Sequence, residues 1–220
     1  MHLKHFTPRP LLTALGLLLA AAPLAHAADA INDAAGDYLG SFTGAHAGDL
    51  DVLSATVLYD ATSHLFSLSA TFAGNVGTTP SAFFVWGVNR GSGTAGFAAQ
   101  GVGGVRFDRV IFLRPGGTSS VQVAGNLAPG SVTWSGATLT AIIPEAMLPS
   151  NGFANKLDYT WNLWPRDGAV GGFAAISDFA PNNANFTTTA GTVTAVPEPA
   201  TAALMLGGVL GLLAWRRRQG

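Results

Sequence analysis

Leu65-Phe66-Ser67-Leu68-Ser69-Ala70-Thr71-Phe72 alternates: Phe66, Leu68, Ala70 and Phe72 are apolar, and the odd positions after Leu65 (Ser67, Ser69 and Thr71) are polar. Successive side chains of an extended chain point to opposite faces, so this pattern predicts a strand with one buried and one exposed face. Val52 to Tyr59 reads as its partner, with Asp60-Ala61-Thr62-Ser63-His64 as the connecting turn. Further along, Ala82 to Val88, AFFVWGV, is almost continuously apolar and reads as a central strand. Val105 to Leu113, SVQVAG, SVTWSG and ATLTAII continue the series of short segments punctuated by Gly and Pro. Leu157, Tyr159, Trp161 and Leu163 line one face of a later strand, and Phe186 to Val196 supplies the last. Only Pro144 to Leu148, PEAML, has a helical look, with Pro at a first-turn position. No alternation of strands with helices occurs. The fold class predicted is therefore all-β: a single antiparallel β-sandwich of jelly-roll or immunoglobulin-like type.

The two ends of the chain read differently. Lys4 and Arg9 precede an apolar run from Leu11 to Ala22, and Ala25-His26-Ala27 is a small-x-small triplet. Those are the parts of a secretory signal peptide over residues 1–27, cut by signal peptidase after Ala27. The apolar run would rise only about 18 Å as a helix, too little for a hydrocarbon core of about 30 Å. The predicted sandwich domain then occupies residues 28–195, and residues 196–220 form a tail. In the tail, Pro197-Glu198-Pro199 precedes an apolar run from Ala200 to Trp215, followed by Arg216, Arg217 and Arg218. The prolines hold the chain extended ahead of a single transmembrane helix, and the arginines keep its end on the cytoplasmic side.

Triplet, short helix and terminal arginines, in that order, resemble the PEP-CTERM sorting signal of Gram-negative bacteria. The resemblance implies recognition of Pro197, Glu198 and Pro199 by exosortase, a membrane protease-transpeptidase, with Arg216, Arg217 and Arg218 holding the orientation. It implies transient anchoring in the inner membrane, tail processing, and a final place on the cell surface or in the extracellular matrix. Such proteins accompany exopolysaccharide and biofilm production. The resemblance covers the tail alone.

Between Ala28 and Val196 six cations face eleven anions, a net charge of −5. An acidic domain cannot neutralise phosphates, so nucleic acid is excluded as a partner. The chain has no cysteine, which removes disulfides, thiol nucleophiles and thiolate zinc sites. Five of the eleven anions fall between Asp29 and Asp51, in runs rich in Asn and Gly. Asp33, Asp37, Asp49 and Asp51 are thereby candidate ligands of a structural Ca²⁺, which takes hard oxygens from flexible loops. The competing reading is that these residues cap turns. Among the aromatics, Phe83, Phe84, Trp86, Trp134, Trp161 and Trp164 either fill the core or offer flat faces to sugar rings. Trp164 and Arg166 sit where a strand becomes a loop and are the candidate carbohydrate contacts. Gly87 to Gly104 lacks the Gly-Lys-Ser/Thr ending of a phosphate loop and reads as a mobile loop or long hairpin tip.

No Gly-x-Ser-x-Gly elbow occurs. Glycoside hydrolysis needs two facing carboxylates, for which Asp158, Asp167 and Asp178 are the material. The expectation is an exported, non-catalytic surface or matrix protein that associates with extracellular polysaccharide. The alternatives are a glycan-active hydrolase and a calcium-stabilised adhesin.

Overall fold

The computed structural model describes residues 30–193. The predicted signal peptide and the predicted sorting tail, with the helix expected in it, lie outside the described residues. Among the described residues no helix is long and apolar enough to cross a membrane.

The chain forms β1 (Ile31–Asn32), β2 (Val52–Asp60), β3 (Leu65–Phe72), β4 (Ala82–Asn89), β5 (Arg109–Leu113) and β6 (Ser120–Val121). It continues through β7 (Gly125–Asn126), β8 (Val132–Ser135), β9 (Thr138–Pro144), β10 (Thr160–Asp167), β11 (Phe186–Thr187) and β12 (Thr189–Ala190). The described helical residues are short 3₁₀ turns, one of them the predicted stretch at Glu145–Met147. Sheet one runs β1-β2-β3-β9-β8, with β12 also on β2; sheet two runs β11-β10-β4-β5-β6-β7. All pairings are antiparallel except β12 with β2, which is parallel. The predicted last strand is thus divided: β11 joins sheet two and β12 crosses to sheet one.

The alternation of β3 does what the sequence implied. Phe66, Leu68, Ala70 and Phe72 are all buried, each at 2% exposure or less. They meet Phe84, Trp86 and Val88 of β4 and Trp161 and Leu163 of β10 from the facing sheet. Phe66 lies edge-on to Trp161 with centroids 5.6 Å apart, and Phe72 packs on Phe84 at 4.7 Å. Such edge-to-face and tilted pairs place positive ring edges on negative faces.

The apolar run of β4 has a second cause. Sheet two is buried on its outer face as well, by a cluster of Val85, Val105, Val110, Trp164, Ile176 and Phe179. The Gly87–Gly104 stretch is part of that cover and is not a projecting tip. Phe97 packs edge-on to Trp164 at 5.3 Å, and Phe107 packs on Trp164 at 5.2 Å. Gly87 is required beneath the indole: a Cβ there would stand 2.5 Å from the Trp164 ring. Both ends of the excursion are held by Arg90 Nε, which donates to Asp108 Oδ1 at 2.7 Å in a buried ion pair.

β1 and β12 share the outer edge of β2, opposite Ser54–Ala55 and Leu58–Tyr59 respectively. Just beyond β12, Val193 N donates to Asp60 Oδ2 at 3.0 Å, while Asp60 Oδ1 accepts from Thr62 N at 2.8 Å. One carboxylate therefore holds both the β2–β3 turn and the strand that leads into the tail. The Val193 N–H, then that of Thr62, pull the Asp60 pKa down to about 2. A depressed carboxyl pKa adds stability that is complete above the unfolded value of about 4 and is lost as pH falls toward 2. Comparing denaturant midpoints, Asp60→Asn is expected to be less stable than wild type at neutral pH, and the gap is expected to close between about pH 4 and pH 2. A gap that stays constant across that window would count against the carboxylate's role.

Candidate functional site

Three segments distant in sequence meet at the start of β2. After β1, Gly36 turns with φ +79°, and its N–H donates to Asp51 Oδ2 at 2.8 Å. Asp51 stands at the end of the 3₁₀ turn Gly48–Leu50, one residue before β2. From the far end of the chain, Ser177 Oγ donates to the Leu50 carbonyl at 2.7 Å, and Leu39 N donates to the Ser177 carbonyl at 2.8 Å. These contacts bring in Asp178, whose Oδ2 accepts from Val52 N at 3.1 Å and whose Oδ1 accepts from Phe179 N at 2.6 Å.

Asp37, Asp51 and Asp178 end with one carboxylate oxygen each inside a common radius, all within 4.8 Å of one another. Asp51 is 4% exposed and Asp178 fully buried. Asp33 adjoins them. Among the described residues no Lys or Arg forms an ion pair with any of these carboxylates. Burial, reinforced by Asp37, pushes Asp33 up to about 6. Burial likewise pushes Asp178 up to about 7, with Asp33 and Asp37 adding repulsion. Asp51 is raised by burial too, against the opposing Gly36 N–H. Asp33 Oδ2, Asp37 Oδ1 and Asp51 Oδ1 are buried without a hydrogen-bond donor. Buried charge without a counter-charge is costly, so the close approach of these carboxylates works against the fold.

Of the predicted ligands, Asp37 and Asp51 come together, Asp33 lies near enough to repel them, and Asp49 stands apart. Asp49 turns the other way and accepts from Thr79 N at 2.7 Å and Thr79 Oγ1 at 2.8 Å, which anchors the loop before β4. Asp178 takes its place in the cluster. Its signal in the sequence is a lone carboxylate between Ile176 and Phe179, where a surface residue would have no reason to sit. Asp158, Asp167 and Asp178 do not assemble. Asp158 is exposed in the turn Lys156–Asp158, while Asp167 accepts from Ser81 Oγ at 2.6 Å.

The carbohydrate contacts read from the sequence are also redistributed. Trp164 is 2% exposed beneath the Phe97 and Phe107 rings and offers no face to a ligand. Arg166 is half-buried and donates through Nη2 to the Gly172 carbonyl at 2.6 Å. Trp86 and Trp161 are core residues. Trp134 alone among the tryptophans of the described residues is substantially exposed, at 45%. It borders a groove of about 470 Å³ with Arg114, Leu127, Pro129 and Val132, between the β7–β8 connection and the β8 edge.

A separate polar network lies beside the β2–β3 turn. Tyr59 Oη donates to Glu145 Oε2, which also meets His64 Nδ1 at 2.9 Å. The Tyr59 hydroxyl, then His64, draws the Glu145 pKa down, and Tyr59 itself is pushed up to about 12 by burial. Lys156 Nζ stands 3.7 Å from Glu145 Oε1 and donates to Tyr159 Oη at 2.8 Å. This network ties β2, the Glu145–Met147 turn and the approach to β10 together.

A family model, the PEP-CTERM protein-sorting motif, matches residues 195–218. The match begins two residues after Val193, where the Asp60 clamp ends. The tail therefore carries the sorting signal by which exosortase processes exported proteins bound for the cell surface or exterior. No curated protein and no solved structure gives a significant match to the chain.

The two tryptophans differ in a measurable way. Trp164→Ala is expected to cost about 3–5 kcal/mol by emptying the outer cluster, whereas Trp134→Ala is expected to stay within about 0.5 kcal/mol. Equilibrium urea unfolding separates them, and equal losses would contradict the burial assigned to Trp164.

Proposed function

We propose that this protein is a non-catalytic component of the extracellular polysaccharide matrix of a Gram-negative bacterium. Signal peptidase releases it at Ala27, the tail holds it briefly in the inner membrane, and exosortase frees or transfers it at the Pro197-Glu198-Pro199 segment. The sorting motif over residues 195–218 is the observation that carries this reading. Two features of the sandwich support it. The clustered carboxylates are packed between chain segments and do not face each other across an open groove of the kind a glycosidase needs. Trp134 gives the described surface one flat apolar face of the kind sugar rings stack on, in a groove that Arg114 also lines.

Mass spectrometry of secreted material tests the reading directly. In cells with exosortase, the extracellular protein is expected to begin at Ala28 and to lack everything from Ala200 onward. In an exosortase deletion strain, or with Pro197, Glu198 and Pro199 all changed to Ala, the uncut chain is expected in the membrane fraction. Extracellular protein still carrying Trp215 would defeat the proposal. Co-sedimentation with the purified polysaccharide is expected to fall several-fold in Trp134→Ala, and unchanged binding would remove Trp134 from the sugar contact.

A further inference from the structure

The geometry points to a divalent-cation site formed by Asp37, Asp51 and Asp178, with Asp33 beside it and Ca²⁺ as its ion. The cluster is more than a concentration of acidic residues. Asp51 is 96% buried, being 4% exposed, and its Oδ1 meets no donor although Oδ2 is engaged by Gly36 N. Asp33 and Asp37 repeat the pattern: one oxygen is hydrogen-bonded, to Ala34 N and to Asn182 Nδ2 respectively, and the other is buried and bare. Each of these carboxylates is thus oriented through one oxygen and offers its second. Asp178 is oriented through both, by Val52 N and Phe179 N, and brings an oxygen into the same 4.8 Å radius as Asp37 and Asp51.

The donor set decides the ion. Carboxylate oxygens are hard ligands, and no His or Cys belongs to the cluster, which disfavours zinc and copper. Mg²⁺ demands near-ideal octahedral geometry and keeps its waters, whereas Ca²⁺ accepts irregular shells from loop carboxylates. The ion would bridge the segment after β1, the start of β2 and the segment after the Phe173–Ala175 turn. It would thereby neutralise a group of buried carboxylates that no Lys or Arg of the described residues pairs with. Affinity in the range of extracellular modules, about 10⁻⁴–10⁻³ M, suits a site that fills after export.

The full-length protein, purified in mild detergent and stripped with EGTA, is titrated with CaCl₂ or MgCl₂ while its Tm and binding heat are recorded. Ca²⁺ at about ten times its Kd is expected to raise Tm by about 3–6 °C, with Mg²⁺ giving a smaller shift at equal concentration. Asp51→Asn is expected to abolish the response. Asp37 is only half-buried and lies outside every strand, so Asp37→Asn keeps the fold. In that variant, Ca²⁺ binding is expected to weaken on the order of tenfold while Tm in EGTA rises, because one repelling charge is gone. Asp158→Asn, distant from the cluster, is expected to respond as wild type does. No Tm shift and no binding heat at 10 mM CaCl₂ would overturn the site, as would an undiminished response in both cluster variants. An equal response to Mg²⁺ would overturn the choice of ion. These measurements use purified protein alone, so their failure would leave the sorting experiment untouched.

Discussion

Phe66 stands where the two sheets meet. Its ring lies 4.7 Å from Tyr59 on the neighbouring strand, 5.6 Å from Trp161 across the sandwich and 5.9 Å from Tyr159. Large aromatic side chains carry the greatest apolar area per residue, and their exclusion from water is the main term favouring closure. The register of β3 is consequently not free to slip. A shift by one residue would turn Ser67 and Ser69 inward and send Phe66 and Leu68 into solvent. With β3 fixed, β2 and β9 follow on its two sides, and β4 and β10 must present Phe84, Trp86 and Trp161 to complete the layer.

That constraint explains which parts of the molecule were legible beforehand. The alternation of β3 and the turn at Asp60–His64 announced themselves through local periodicity, as did the unbroken apolar run of β4. The fate of Trp164 did not, because its cover comes from Phe97 and Phe107 on a glycine-rich excursion that local pattern reads as a tip. The acidic site was half legible for a similar reason. Asp33, Asp37 and Asp51 are neighbours along the chain, but Asp178 reaches them only through a strap 126 residues from Val52, its hydrogen-bond partner. Asp49 could not be told apart from them in the sequence, because spacing along a chain says nothing of direction. Two residues before Asp51, it faces Thr79 on the other side of the 3₁₀ turn.

β2 separates the two regions of interest. The acidic cluster lies at its beginning and the Asp60 clamp at its end, so the nine steps from Asp51 to Asp60 set them roughly 30 Å apart at about 3.4 Å per residue. Events at the tail and events at the carboxylates therefore take place at opposite ends of one rigid element. The Glu145 network stiffens the tail end by tying Tyr59 to His64 and Lys156. A protease approaching residues just past Val193 thus meets a segment whose upstream side is pinned by Asp60 and by pairing with β2.

The way the sheets terminate has a consequence for life at high protein density. β1, β7, β11 and β12 are two residues long and β8 is four. Every border of the described sandwich is therefore a stub. A long unpaired border would expose a row of amide and carbonyl groups on which a second molecule could add as another strand. Stubs of this length give such an intruder almost nothing to hydrogen-bond. Many copies crowded together outside a cell can then remain individual folded units, resistant to the fibrous self-association to which sheet-rich polypeptides are prone.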